Sequence, residues 1–256
     1  MRPTAKYLLL SLLSIVIVAC STIWSPTVIA APNWGYDGDL DPNHWAALQA
    51  EYALCGTGQS QSPIDLISKG MVDGTDLLDI DYHSAPLNEV NTGLTLQMNY
   101  AQGSTVTIDD QAYELVQFHF HTPSEHLMDH KPGEMELHLV HKNTEDQLAV
   151  VGVMIEPGVT NQALEEILSN TPAGPGQERI TDLPVDASQL LPRDRSFYHY
   201  QGSLTTPPCS EDVNWVVMKE PIQASTQQID AFKSRFRANA RPVQGLHRRP
   251  VSFSHS

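Results

Sequence analysis

The chain is short of cysteine, of basic side chains and of internal repetition. It has 3 cysteines in 256 residues, and 15 lysines and arginines against 30 aspartates and glutamates. So few cysteines exclude a disulfide-dense small scaffold and any four-cysteine zinc module. The formal net charge of -15 disfavours nucleic acid and anionic membranes as partners and suits a soluble, self-repelling surface. No repeat or low-complexity tract is visible, and no Gly/Ser/Pro-rich linker divides the chain. One domain large enough to bury a sizeable core without staples is therefore expected.

The one sustained apolar run lies at the start. Met1 to Lys6 is short and basic and Tyr7 to Val18 is apolar, which reads as an export signal rather than part of the fold. Two cleavage points compete. Val28-Ile29-Ala30 before Ala31 fits a small-residue signal-peptidase site, giving residues 1–30 as leader and 31–256 as the catalytic domain. Ile17-Val18-Ala19-Cys20 also resembles a bacterial lipoprotein box, in which Cys20 would be lipidated and anchor the protein to a membrane. A retained transmembrane anchor is a third alternative, disfavoured by Trp24 and Pro26. Either way the protein is expected outside the cytoplasm, in the periplasm or the medium. Setting Cys20 aside leaves Cys55 and Cys209, an even pair far apart in sequence that fits an oxidising compartment.

Helix signals are few. Asp41-Pro42 reads as an N-cap with proline in the first turn, predicting a helix to about Tyr52. Asn161 to Ser169 carries Leu164, Ile167 and Leu168 at helical spacing. Ser225 with Gln228 resembles a capping box opening a helix to about Phe236. Elsewhere apolar residues alternate over short runs: Leu94 to Met98, Thr105 to Ile108, Leu115 to Phe120, Leu137 to Val140, Leu148 to Ile155 and Val213 to Met218. Short strands separated by turn residues predict a β-dominated α+β domain. The runs Leu148 to Met154 and Val213 to Met218 are almost continuously apolar and are expected at the centre of the sheet.

Three histidines carry the chemistry. In Gln117-Phe118-His119-Phe120-His121, period two puts Gln117, His119 and His121 on one face and the phenylalanines on the other. In Glu136-Leu137-His138-Leu139-Val140 it groups Glu136, His138 and Val140. If the two strands lie side by side, three imidazoles converge, which is the pattern of a catalytic zinc with its fourth position open. Gln117 and Glu136 are then placed to accept the free ring N–H of a ligating histidine. A pair of histidines at i and i+2 arises often by chance; the third, with a polar acceptor at i−2 in both strands, raises the pattern above it.

The runs QFHFHTPSEH (Gln117 to His126), ELHLVH (Glu136 to His141) and GSLTTPPCSEDVNW (Gly202 to Trp215) resemble the α-class carbonic anhydrases. So do Trp34-Gly35-Tyr36, Gln61-Ser62-Pro63-Ile64-Asp65 and Asn239-Ala240-Arg241-Pro242. These stretches are collinear from Trp34 to Ser252. The resemblance implies a large twisted, mostly antiparallel sheet with short peripheral helices and Zn2+ at the base of a conical cleft, held by His119, His121 and His138. It implies reversible hydration of carbon dioxide to bicarbonate by zinc-bound hydroxide. Carbonic anhydrase is the standard example of this chemistry, its zinc lowering the pKa of bound water to about 7. Thr205 would accept a hydrogen bond from the hydroxide and donate to Glu125. Gln117 and Glu136 would orient His119 and His138, and His121 would donate to a backbone carbonyl near Asn239. Val140, Val150, Leu204, Val213 and Trp215 would form the apolar wall for carbon dioxide, Thr206 would help bind bicarbonate, and Tyr36 would organise water in the cleft. A Cys55–Cys209 disulfide is implied, as is inhibition by sulfonamides and anions. Two departures stand out. Leu94 falls where fast members have a proton-shuttling histidine, and the stretch from His141 to Leu148 is short, so the cleft should be more open on that rim. A catalytically silent binding module and an ester hydrolase are the alternatives. Silent relatives usually lose a zinc histidine, which this chain keeps, and no acyl-specificity pocket is legible.

Overall fold

The computed structural model describes residues 33–69 and 71–255. The leader, with Cys20 and the Ala31 boundary, lies outside the described residues.

Thirteen strands join in one twisted sheet. Ten of them form its path: β1 (Val72–Asp73), β2 (Ala85–Asn91), β3 (Leu96–Asn99), β4 (Gln111–His121), β5 (Met135–Lys142), β6 (Leu148–Pro157), β7 (Glu178–Val185), β8 (Phe197–Ser203), β9 (Glu211–Met218) and β10 (Ser252–Ser254). Their order across the sheet is β7-β2-β3-β4-β5-β6-β9-β8-β10-β1. Most pairings are antiparallel, with a parallel seam between β6 and β9. The two near-continuous apolar runs are thus the neighbours at the middle of the sheet, where both faces are covered.

Strand alternation divides the core in two. One face sends Phe118, Phe120, Leu137, Leu139, Val151, Val153 and Val216 into the larger cluster. Two helices cover it: α1 (Gln162–Asn170), with Leu164 and Ile167 buried, and α2 (Thr226–Arg235), with Ile229 and Phe232 buried. Asn161 caps α1 by accepting from Leu164 N, and Ser225 and Gln228 form the reciprocal capping box of α2. Both helix starts follow the sequence reading. The other face carries Val140, Val150, Val213, Trp215 and Val217 in a second cluster with Ile64, Leu66 and Tyr200.

The helix expected from Asp41 to Tyr52 is not continuous. A 3-10 turn (Gly38–Leu40), a single α-turn (Trp45–Leu48), a second 3-10 turn (Ala50–Tyr52) and another α-turn (Leu54–Thr57) follow one another. Asp41 accepts from Asn43 N at 2.8 Å, so it does organise a local turn. The segment then wraps an aromatic trio, Trp34, Tyr36 and Trp45, packed edge to face at 5.4–5.7 Å. The indole N–H of Trp45 donates to the carbonyls of Gly35 and Leu40. Packing around the buried indole overrides the propensity for one straight helix. Residues 143–147, between β5 and β6, close in a tight turn with Asn143 N donating to Gln147 O at 3.0 Å, as the short spacing there requires.

Candidate metal centre

The adjacent antiparallel strands β4 and β5 place His138 directly opposite His119, and Glu136 opposite His121. All three histidines leave the same face, with ring centroids 4.5–5.5 Å apart. One ligand nitrogen from each lies within 4.8 Å of the other two. The irregularity of the ladder falls beyond the site: Val140 faces Gln117 and His141 faces Leu115, so β4 has one extra residue there, Val116.

The outer nitrogen of each ring is already committed. His119 Nδ1 donates to Gln117 Oε1 at 2.8 Å, His121 Nδ1 to the carbonyl of Asn239 at 2.8 Å, and His138 Nε2 to Glu136 Oε1 at 2.9 Å. The acceptors fix the tautomers and leave His119 Nε2, His121 Nε2 and His138 Nδ1 with lone pairs turned inward. His121 Nε2 is buried with no protein partner. Burial, reinforced by the neighbouring imidazoles, holds His119 well below the usual histidine range; burial also lowers His138 and takes His121 down to about 4. Three neutral imidazoles aimed at one point are a donor set that could hold a metal ion.

Glu136 anchors the back of the site. Its Oε1 also accepts from His126 Nδ1 at 2.7 Å, and its Oε2 accepts the backbone N–H groups of Glu125 and His126, each at 2.8 Å. Burial pushes this carboxyl up, but His126 and His138, with the hydrogen bonds they donate, outweigh it and hold it well below the usual carboxylate range. Because His126 Nδ1 donates, its Nε2 accepts from the Tyr200 hydroxyl at 2.7 Å, and Ser62 in turn donates to that oxygen at 2.8 Å. Gly152, opposite His138 on β6, keeps this corner free: a Cβ there would stand 3.0 Å from Glu136 Oε1. His126, Tyr200 and Ser62 escape sequence reasoning as site residues, although His126 follows Glu125 directly and Ser62 lies in one of the family-like motifs.

Glu125 sits beside the triad. Its Oε1 accepts the backbone N–H of Arg241 at 2.8 Å, while Oε2 lies 3.5 Å from His121 Nε2 and 3.8 Å from His138 Nδ1. Burial raises this carboxyl to about 7, against the lowering effects of His138, the Arg241 N–H and the Thr205 hydroxyl. Oε2 meets hydrogen-bond geometry with no protein group, Thr205 included. Arg241 also donates its guanidinium to the carbonyls of Ser62 and Cys55, tying the glutamate's segment to the disulfide. Its signal is in plain view, in Asn239-Ala240-Arg241-Pro242.

The remaining expected residues gather on the same side. Val140, Val150, Val213 and Trp215 form one buried apolar wall with Leu204 packed against it. A cavity of about 310 Å³ above the triad is lined by His119, His121, Gln117, Thr206, Tyr36 and Leu94, among others. Thr205, next to Thr206 in the chain, is buried. Leu94 is half-buried, its carbonyl accepting from Asn239 Nδ2 at 3.1 Å. Burial, then the charge of Glu125, raises the Tyr36 phenol well above its usual range.

Cys55 and Cys209 are disulfide-bonded, with Cα atoms 5.1 Å apart across 154 residues of chain. The bridge closes the loop bearing Thr205 and Thr206: Cys209 N donates to Thr206 O and Leu204 N to Ser210 O, both at 2.9 Å. Cys55→Ser with Cys209→Ser is expected to destabilise the fold by about 2–4 kcal/mol on the chain-entropy account. It should also loosen the segment of Thr205 and Thr206 while leaving the three histidines in place, because the histidines sit on the central strands. Chemical denaturation with hydrogen exchange across residues 204–210 checks this; unchanged stability and protection would show that the loop holds itself.

The chain is similar to known proteins. Residues 40–255 match the model of eukaryotic-type carbonic anhydrase. A carbonic anhydrase of Nostoc sp. is 45% identical over 255 residues, covering 98% of this chain and 96% of that protein. One from Pectobacterium carotovorum is 38% identical, covering 90% of this chain and 95% of its own. Among solved structures, the α-carbonic anhydrase of Thermovibrio ammonificans in complex with the inhibitor sulfanilamide superposes with a TM-score of 0.84 at 40% identity, over 86% of this chain and 98% of that one. A carbonic anhydrase from Chlamydomonas reinhardtii in complex with acetazolamide gives 0.78 at 38%, over 86% and 98%. No helix of the described residues is long and apolar enough to cross a membrane.

Proposed function

Because the chain belongs to the eukaryotic-type carbonic anhydrase family, we propose that it catalyses the reversible hydration of carbon dioxide to bicarbonate with zinc held by His119, His121 and His138. The observation that carries this reading is the convergence of three neutral imidazoles whose outer N–H groups are already bonded to Gln117, Asn239 and Glu136. Zinc bound there supplies a Lewis acid that makes hydroxide available from water at neutral pH.

The chain's own residues do the rest. Gln117, Glu136 and the Asn239 carbonyl hold the rings so that no reorientation is needed on binding. Thr205 accepts a hydrogen bond from the attacking oxygen and donates one from its own hydroxyl to Glu125, an arrangement that turns a lone pair of that oxygen to the substrate. Val140, Val150, Leu204, Val213 and Trp215 hold carbon dioxide, an apolar molecule that needs a wall and no charged clamp. Thr206 offers a hydroxyl to bicarbonate. Sulfonamides of the kind bound by the structural neighbours, and simple anions, are expected to occupy the same cavity as inhibitors. Stopped-flow hydration by the zinc-loaded protein, with sulfanilamide as a control, tests the reading. A zinc-replete protein with no rate above background would leave a binding module in its place.

One proton must leave in each cycle, and neither Leu94 nor Tyr36, which line the cavity, is suited to carry it. Leu94 has no titratable atom, and the Tyr36 phenol retains its proton at neutral pH. Transfer is fastest through a group with a pKa near 7. Imidazole buffers are therefore expected to raise kcat while leaving kcat/KM nearly unchanged. Leu94→His should lift kcat in weak buffer by roughly tenfold or more and blunt the response to imidazole. A high kcat insensitive to buffer would mean that another residue does the shuttling.

We further propose export, with residues 1–30 removed as a leader; the disulfide fits an oxidising compartment. Mass spectrometry of the mature N-terminus decides between Ala31 and a lipidated Cys20.

A further inference from the structure

Glu89 lies within β2 with its side chain 0% exposed, and neither of its carboxyl oxygens has a hydrogen-bond partner. Alternation puts it on the face of Leu87, which belongs to the larger apolar core. Across the ladder, β3 brings Met98 opposite it and β7 brings Arg179. Arg179 is nonetheless engaged elsewhere: its Nη1 donates to Asn170 Oδ1 at 3.2 Å, at the C-terminal end of α1.

The other charged groups of the surrounding elements are turned away or occupied. Glu178 pairs with Val90 and so faces the opposite side, and Asp182 is exposed. On α1, Glu165 accepts from Gln228 and Glu166 from Gln162. β3 carries no charged residue. A carboxylate ion in this position would be desolvated without a hydrogen bond, which is among the costliest burials a fold can contain. Burial accordingly raises the acid from 4.5 to about 8, with Arg179 offsetting part of the effect.

We propose that Glu89 is a proton-operated latch, neutral while the β2–β7–α1 edge is closed, whose ionisation draws Arg179 off Asn170 and loosens that edge. The edge is suited to such release. β7 is the terminal strand of the sheet, and its register with β2 is interrupted between Ile180 and Pro184. Its loosening reaches the cleft. Asn91, two residues beyond Glu89, binds residues 172–177 through its side chain to Pro172 O and through its backbone to Gly176 and Gln177. That loop sets Pro175 against Gly93, beside Leu94.

The linkage has a definite sign. Relative to a neutral residue of the same shape, the folded state holds a proton that the unfolded chain has released above its ordinary pKa near 4.5. Stability is therefore fully present below about 4.5, is lost as pH rises, and levels off above about 8. Glu89→Gln removes this dependence. The ratio of the wild-type to the variant unfolding constant should rise about tenfold per pH unit across that window and then level. A ratio flat with pH would overturn the proposal.

Two further measurements do not depend on how well that variant folds. In wild-type protein carrying 13C-labelled glutamate carboxyls, a signal separate from that of Glu125 should titrate near 8 and move higher in Arg179→Met; if no signal sensitive to Arg179→Met titrates above about 5, the idea ends. Hydrogen-exchange protection across residues 172–185, corrected for intrinsic rates, should fall between about pH 6 and about 9. Unchanged protection there would show that ionisation does not loosen the edge.

Discussion

His138→Ala is expected to yield a folded protein that contains no stoichiometric zinc and hydrates carbon dioxide no faster than buffer. The substitution leaves two imidazoles where a closed set of three is required, and a tetrahedral zinc site with two protein ligands binds far more weakly. The fold should survive, because the core beneath the site is built from Phe118, Phe120, Leu137 and Leu139 on the opposite face. Glu136 keeps its bonds to His126 and to the two backbone N–H groups, so its carboxylate is not stranded. Glu136→Gln is the graded companion: the three ligands remain, and zinc affinity should drop by roughly 10–100-fold. Metal analysis, circular dichroism and stopped-flow hydration on the three proteins check both. A zinc-replete, active His138→Ala protein would remove this histidine from the metal site.

Thr205→Ala is expected to keep its zinc and lose roughly 10²–10³ in kcat/KM, the size of effect seen when one preorganised hydrogen bond at a reacting oxygen is deleted. Thr205→Ser, which retains the hydroxyl, should recover most of the rate. If Thr205 works by donating to Glu125, adding Glu125→Gln to Thr205→Ala should cost little more than the first change alone, since residues acting as a unit are not additive. Independent losses that multiply would instead mean that Glu125 serves chiefly to hold Arg241, whose backbone N–H it accepts at 2.8 Å.

Much of the site is legible in the order of residues. Alternation along Gln117 to His121 and Glu136 to Val140 dictates which side chains share a face, because a strand has no other way to arrange them. The start of α2 follows from Ser225 and Gln228, since capping is a local exchange between side chain and backbone, and α1 follows from the helical spacing of Leu164, Ile167 and Leu168. Other strands escape notice: β2, β7 and β8 include proline, glycine or polar residues that blur the alternating pattern. The run from Asp41 to Tyr52 misleads for the opposite reason. Its local signals are helical, but the burial of Trp45 is a tertiary event.

Residue identity and a period of two are enough to specify the β-dominated fold class, the histidine-bearing face of each strand and the lack of a titratable group at position 94. Folding in three dimensions was needed to bring His119 and His138 opposite one another, to support Glu125 through the backbone of Arg241, and to close Cys55 on Cys209 beside the Thr205 loop. The same packing seals in Glu89 without a partner. Each of these joins residues distant in the chain, and strand register and packing, which no local pattern encodes, determine whether they meet.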